Sequence, residues 1–217
     1  FSPLKSVPLS LNAYRLTNSP DGGWAPNWSP DGTQIVFNSD RDGASEIYKM
    51  NADGSNVTRL TWGPEDRIAP KWSPDGSKIL FEERASGDGK IKVMDASNGD
   101  NIVDLSSVAG LNGSDNGAVW SPDGTRIAFY SSRNTFHYED EIWVMNSDGS
   151  LGNPARLTFD SWNDYAPTWS TDGSKIAFRT VRDGNHEIYV LDANSSSGDS
   201  TNITNNNAFD GAPSWSR

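Results

Sequence analysis

Two kinds of short run, in which apolar and polar residues alternate or nearly so, return along the chain. One is Gln34 to Ser39, repeated at Lys78 to Glu83, Arg126 to Ser131 and Lys175 to Thr180; the other is Glu46 to Asn51, repeated at Lys90 to Asp95, Glu141 to Asn146 and Glu187 to Asp192. Both are rich in Ile, Val, Phe and Tyr, and a period of two with such residues predicts half-buried β-strands. Ahead of each first-type run stands an indole followed by turn residues: Trp28-Ser29-Pro30-Asp31-Gly32, then copies starting at Trp72, Trp120 and Trp169, and the opening of another at Trp215-Ser216. Proline presets φ at the first corner of such a turn, aspartate tolerates the second, and glycine takes the left-handed position. A fourth marker, Leu16-Thr17, Leu60-Thr61, Leu105-Ser106, Leu157-Thr158 and Ile203-Thr204, shares the period.

Each repeat therefore reads as four antiparallel strands: A ending in Trp, B carrying Ile-x-Phe, C with Glu-Ile-Tyr or its variants, and D at the Leu-Thr marker. The Trp residues are spaced by 44, 48, 49 and 46 residues, the period of a propeller blade. A unit of this kind cannot bury both faces alone, so units stack face to face around an axis. The expected fold is all-β, a single β-propeller over residues 1–217, with blades at about 24–61, 68–106, 116–158 and 165–204. Strands at 13–17 and 212–216 are expected to close a reduced fifth blade; the alternative is a fragment of a larger propeller. Trp28, Trp72, Trp120, Trp169 and Trp215, with Trp143 on strand C, are expected between the blades as core.

The motif Trp-Ser-Pro-Asp-Gly followed by Ile-x-Phe, with Ser39-Asp40-Arg41-Asp42-Gly43, Glu46-Ile47-Tyr48 and Asn51-Ala52-Asp53-Gly54, resembles the TolB-type propeller repeat, a bacterial relative of the WD repeat. The resemblance covers roughly residues 16–216 and is specific for fold, much less so for activity. It implies a propeller that carries protein contacts, in a periplasmic or extracellular setting.

Composition narrows the partners. A net charge of −11 speaks against a nucleic-acid backbone and would attract cations or basic surfaces. No apolar run is long enough for a membrane-spanning helix, so no membrane insertion is expected. With no cysteine, disulfides and thiolate metal sites are excluded.

Strand direction alternates, so the D–A linkers and B–C loops leave on one side of the ring and the tight Asp-Gly turns on the other. The irregular side is where recognition is expected. Its linkers hold Trp24, Trp62, Trp162, Tyr165 and Phe209, and an enlarged B–C loop holds Phe136, His137 and Tyr138. Large aromatics beside charged groups suit protein or sugar recognition, although any one of them can pack under its own loop. Arg41, Arg133 and Arg182 lie on the B–C loops, as a polar rim for a partner or as ion-pair partners of nearby aspartates. Asp66, Asp115, Asp164 and Asp210 precede strand A, and a ring of carboxylates there could hold Ca2+ or another cation; capping of local turns is the competing role.

Catalysis finds little support. His137 and His186 occupy different positions in the repeat and match no metal spacing, and no Gly-x-Ser-x-Gly elbow occurs. The leading expectation is a non-enzymatic binding propeller with a protein partner. A carbohydrate-binding propeller using Trp62 and Trp162 as stacking platforms is the second, and a carbohydrate-active enzyme with paired carboxylates the third.

Overall fold

A computed structural model describes residues 15–17, 22–107, 113–133, 139–148 and 154–215. Its described residues form four antiparallel sheets of four strands each, every one a simple meander. Blade 1 comprises β1 (Trp24–Trp28), β2 (Gln34–Ser39), β3 (Glu46–Asn51) and β4 (Thr58–Arg59). Blade 2 comprises β5 (Asp66–Trp72), β6 (Lys78–Ala85), β7 (Asp88–Asp95) and β8 (Val103–Asp104). Blade 3 follows with β9 (Asp115–Trp120), β10 (Arg126–Ser131), β11 (Glu141–Asn146) and β12 (Ala155–Arg156). Blade 4 holds β13 (Asp164–Trp169), β14 (Lys175–Thr180), β15 (Glu187–Asp192) and β16 (Ser200–Asn202). The fourth strand of each blade is very short, which leaves little exposed edge for unwanted pairing.

The A–B register repeats in every blade: Trp28 lies opposite Ile35, Trp72 opposite Ile79, Trp120 opposite Ile127 and Trp169 opposite Ile176. The turn between them explains the motif. In blade 1 the Asp31 carboxylate accepts from Ser29 Oγ (2.6 Å) and Thr33 N (3.0 Å), while Ser29 Oγ accepts from Gln34 N (2.9 Å). The same bonds recur around Asp75, Asp123 and Asp172. The serine hydroxyl and the backbone N–H beside it draw the Asp123 and Asp172 carboxyls down to about 2. Gly32, Gly76, Gly124 and Gly173 have φ of 69° to 74°, which an L side chain rarely adopts.

Strand A is bulged. The register slips three residues before each Trp, and the residue there has positive φ: Ala25 (49°), Ala69 (53°), Gly117 (63°) and Ala166 (51°). The extra residue bends strand A along the channel. The bulge N–H is met from the preceding blade by the residue after the strand-B Phe: Ala69 N donates to Asn38 Oδ1 (3.3 Å) and Gly117 N to Glu82 Oε1 (2.7 Å).

Apolar residues of adjacent blades interleave. Val36, Ile47 and Leu60 pack with Trp72, Ile79, Phe81 and Met94 between blades 1 and 2. Leu80, Ile91 and Leu105 meet Ile127, Phe129 and Trp143 between blades 2 and 3. Ala128, Ile142 and Leu157 meet Trp169, Ile176, Phe178 and Tyr189 between blades 3 and 4. Leu16 packs on Ile35, Phe37, Tyr48 and Met50 of blade 1, the seat that Leu60 has on blade 2. Three of the strand-A indoles lie on the blade before them and donate their N–H to the carbonyl preceding that blade's own Trp: Trp120 to Lys71 O (3.3 Å), Trp169 to Val119 O (3.3 Å) and Trp215 to Thr168 O (3.2 Å).

One expectation needs correction. Not all the repeat indoles are core: Trp72, Trp143 and Trp169 are buried and Trp120 half-buried, but Trp28 is 56% and Trp215 37% exposed. Among the described residues no blade precedes Trp28 and no sheet closes over the far side of Trp215. Of the expected closing strands at 13–17 and 212–216, positions 13, 14 and 216 lie outside the described residues, and the rest pair with no strand among them.

Replacing Trp169 with Ala should lower unfolding free energy by roughly 3–5 kcal/mol, while Trp28→Ala should cost under about 1 kcal/mol. Urea unfolding followed by far-ultraviolet circular dichroism checks both; equal losses would contradict the assignment of the two indoles.

Candidate functional site

The side that carries the D–A linkers and B–C loops is built on a charged frame. Glutamate opens strand C because its carboxylate collects the end of strand D. Glu46, fully buried, accepts from Thr61 Oγ1 (2.5 Å) and Arg59 Nη2 (2.9 Å), and Ile47 N donates to Thr61 Oγ1 (2.9 Å). Glu141 binds Thr158 and Arg156 in the same way, and Glu187 binds Thr204. Burial pushes the Glu141 carboxyl up to about 7 against the pull of these donors.

In blades 2 to 4 a second set of ion pairs lies five residues before the Trp. In blade 3 this position is Asp115, buried and bound by Arg133 through Nε (2.9 Å) and Nη2. In blade 4 it is Asp164, bound by Arg182 (3.1 Å), and burial pushes its carboxyl up to about 6. In blade 2 it is Arg67, which binds Glu83 through Nε (2.9 Å) and reaches Glu46 of blade 1 through Nη1 (3.1 Å). Blade 2 has thus exchanged the charges. Lys92, where blades 1 and 4 have Tyr48 and Tyr189, completes the set by bonding Glu83. The loop arginines also lie over aromatic rings: Arg41 over Tyr48 (4.6 Å), Arg133 over Phe129 (5.2 Å) and Arg182 over Tyr189 (4.5 Å).

This settles where the candidate residues sit. Asp66 is one residue off the ring position, accepting from Ser45 N (2.9 Å), and Asp210 accepts from Asn206 Nδ2 (2.6 Å). With Asp115 and Asp164 held by arginines, the four carboxylates do not converge; among the described residues no group of three or more His, Cys, Asp or Glu could hold a metal ion. Arg133 is buried, and Arg41 and Arg182 are half-buried against their rings, so they brace the loops and do not form a free rim. Burial alone lowers the Arg133 guanidinium to about 10, and Asp104 counters it.

The aromatics divide. Tyr165 is half-buried, edge-on to Tyr130 at 5.4 Å and under Arg179 at 5.2 Å. Trp62 (64% exposed), Trp162 (49%), Trp24 (50%) and Phe209 (66%) stand in solvent on the linker side. Phe209 leans on His186, with ring centroids 4.6 Å apart. Phe136, His137 and Tyr138 lie outside the described residues. Sequence reasoning missed Phe159, 53% exposed. It follows Leu157-Thr158 as Trp62 follows Leu60-Thr61, and Arg156 lies over it at 5.0 Å as Arg59 lies over Trp62 at 5.8 Å. Aligning the residue after the Leu-Thr marker would have found it. Also unforeseen is an open cavity of about 810 Å3 at the turn side of the channel, lined by the ends of strand A and by Pro30, Pro74 and Pro122.

Sheets stacked face to face around an indole-lined channel, with exposed aromatics on one loop side, define a β-propeller with a recognition surface. The family model described as the TolB beta propeller domain matches residues 9–151 and 103–217, and the chain belongs to this family. The Tol-Pal system protein TolB of Bordetella pertussis is 44% identical over 46 residues, covering 21% of this chain and 10% of that protein. The crystal structure of TolB from Acinetobacter baumannii superposes with a TM-score of 0.69 at 27% identity, over 87% of this chain and 45% of that one. A puromycin hydrolase matches at a TM-score of 0.64 and 17% identity, over 87% of this chain and 30% of that one, a likeness of fold alone. The chain thus spans less than half the length of these relatives.

Arg67→Ala would leave Glu46 and Glu83 each short of a cation in a buried place. It should cost roughly 3–5 kcal/mol in denaturant unfolding, and recovery in the double variant with Glu83→Gln should be partial. An unchanged midpoint in the single variant would contradict the frame.

Proposed function

We propose that this chain is a non-enzymatic binding propeller that holds a protein partner on its linker side, in a periplasmic or extracellular setting. The observation that carries the reading is the set of exposed aromatics on the linker side, Trp62, Trp162, Phe159, Trp24 and Phe209, of which Trp62 and Phe159 are held by Arg59 and Arg156. A large ring held in place by its own loop loses little side-chain freedom on binding, which is why Trp and Tyr dominate contact energies at interfaces. Binding fits the site better than turnover: Glu46, Glu141, Asp115 and Asp164 are buried and bonded to their own arginines or threonines, so they are badly placed to reach a substrate. A net charge of −11 favours a partner with a basic surface. The Bordetella relative is a Tol-Pal system protein, so soluble domains of Tol-Pal proteins are the first partners to try.

In biolayer interferometry against such domains, the double variant Trp62→Ala, Trp162→Ala should bind at least about tenfold more weakly, with its melting temperature within a degree or two of the parent. Undiminished binding would contradict the assignment of the face. Glycan-array binding lost in the same variant would favour the sugar-binding reading instead.

A further inference from the structure

Strand B opens with a cation in blades 2 to 4, Lys78, Arg126 and Lys175, and with Gln34 in blade 1. What such a cation does is plainest between blades 3 and 4. The Arg126 guanidinium lies over the Trp169 ring at 4.7 Å. Its Nη2 donates to Gly173 O (3.2 Å) in the A–B turn of blade 4, and its Nη1 to Asn194 Oδ1 (2.9 Å) and Ala193 O (3.4 Å) in the C–D turn. An indole face with acceptors around its edge suits a planar, many-donor cation. Between blades 2 and 3 the turn carbonyl is met differently, by Ser147 Oγ donating to Gly124 O (2.7 Å).

Blades 1 and 2 build the same seat without that occupant, and all four strands of both are described. Trp72 corresponds to Trp169 and Gly76 to Gly173; Ala96, whose N–H donates to Ser77 O, corresponds to Ala193, whose N–H donates to Ser174 O. Gln34 stands where Arg126 stands, and among the described residues no cation lies over the Trp72 ring. Two adjoining cavities, of about 190 and 370 Å3, occupy the place and share Gln34, Trp72 and Gly76 in their walls. Asp31 and Asp75 line the smaller and Asp95 the larger. The Ser29 and Ser73 hydroxyls hold the Asp31 and Asp75 carboxyls below the usual carboxylate range, so both are charged at neutral pH. Two lysines offset part of this charge: Lys78 is bonded to Asp95 (2.5 Å), and Lys49 donates to Ala96 O (2.7 Å) and Ser97 O (3.1 Å). Lys49 therefore takes the C–D turn carbonyls and leaves the indole face to another group.

We propose that the seat between blades 1 and 2 binds the guanidinium of an arginine side chain that a partner protein brings to the turn side. The guanidinium stacks on Trp72, donates to Gly76 O and faces Asp31 and Asp75, as Arg126 stacks on Trp169 and donates to Gly173 O. A chain of net −11 attracts a partner of that charge. The seat lies on the side opposite the exposed linker aromatics, so its occupancy does not depend on what they bind.

The probe is N-acetyl-arginine N-methylamide, titrated into the isotope-labelled whole chain while the indole resonances are followed by nuclear magnetic resonance. Saturable shifts centred on Trp72 are expected at roughly millimolar affinity, at least about tenfold tighter than for the neutral citrulline analogue. Gln34→Arg, which gives blade 1 the side chain that blade 3 carries, should abolish the shifts with unchanged circular dichroism. Arg126→Gln should open the second seat, so that the same probe also shifts Trp169. Equal binding of the arginine and citrulline probes, undiminished binding in Gln34→Arg, or no gain at Trp169 in Arg126→Gln overturns the proposal. So does free L-arginine binding at least about tenfold tighter than the blocked probe, which would place a small metabolite, not a partner's side chain, in the seat.

Discussion

The structure depends on a wedge. An indole at the end of strand A reaches back onto the preceding blade, fills the space between two sheets and donates its N–H to a carbonyl there, at Trp120 and Trp169; Trp215 makes the same bond with no described sheet on its far side. One residue thereby buries apolar surface and satisfies a buried polar group, two requirements that usually compete in a sheet interface. Because the acceptor carbonyl belongs to the residue just before the preceding blade's own Trp, each wedge sets the height of the next. The turns follow this order: Pro30 lies beside Gly76, and Pro74 beside Gly124, so that a Cβ at either glycine would come into ordinary contact with the proline ring. At Trp72 the pattern relaxes, and its N–H is buried without a partner while its backbone N donates to the Asn27 side chain (2.9 Å).

Why four strand patterns were legible is plain in these terms. Alternation, turn chemistry and the Leu-Thr marker are local, and they fixed the sheets, their order and the Trp–Ile register. What was not legible depends on neighbours. Trp28 and Trp169 are the same letter in the same motif, yet one is exposed and the other buried, because only one has a described blade before it. The aspartates before strand A misled for a related reason. Asp66 looks like a ring member, but it stands six residues before its Trp where Asp115 and Asp164 stand five, so Arg67 takes that position, and a charge exchange with Glu83 keeps the pair intact. A motif shows residue types, not which of them pair across a blade boundary.

The two sides of the sheets differ in a way that follows from this packing. The turn side uses its polar groups in tight local bonds, leaving a channel mouth lined by indole and proline. On the linker side buried ion pairs and stacked arginines hold the loops, so large aromatics can remain in solvent without collapsing. Buried pairs of this kind contribute little net stability, and their value here is to fix loop position.

Amide and indole hydrogen exchange, resolved residue by residue by nuclear magnetic resonance, tests the wedge most directly. The Trp120 and Trp169 indole N–H groups should exchange orders of magnitude more slowly than that of Trp28, with Trp215 between them. Equal, fast exchange at all four would mean that the indoles do not lock one blade to the next.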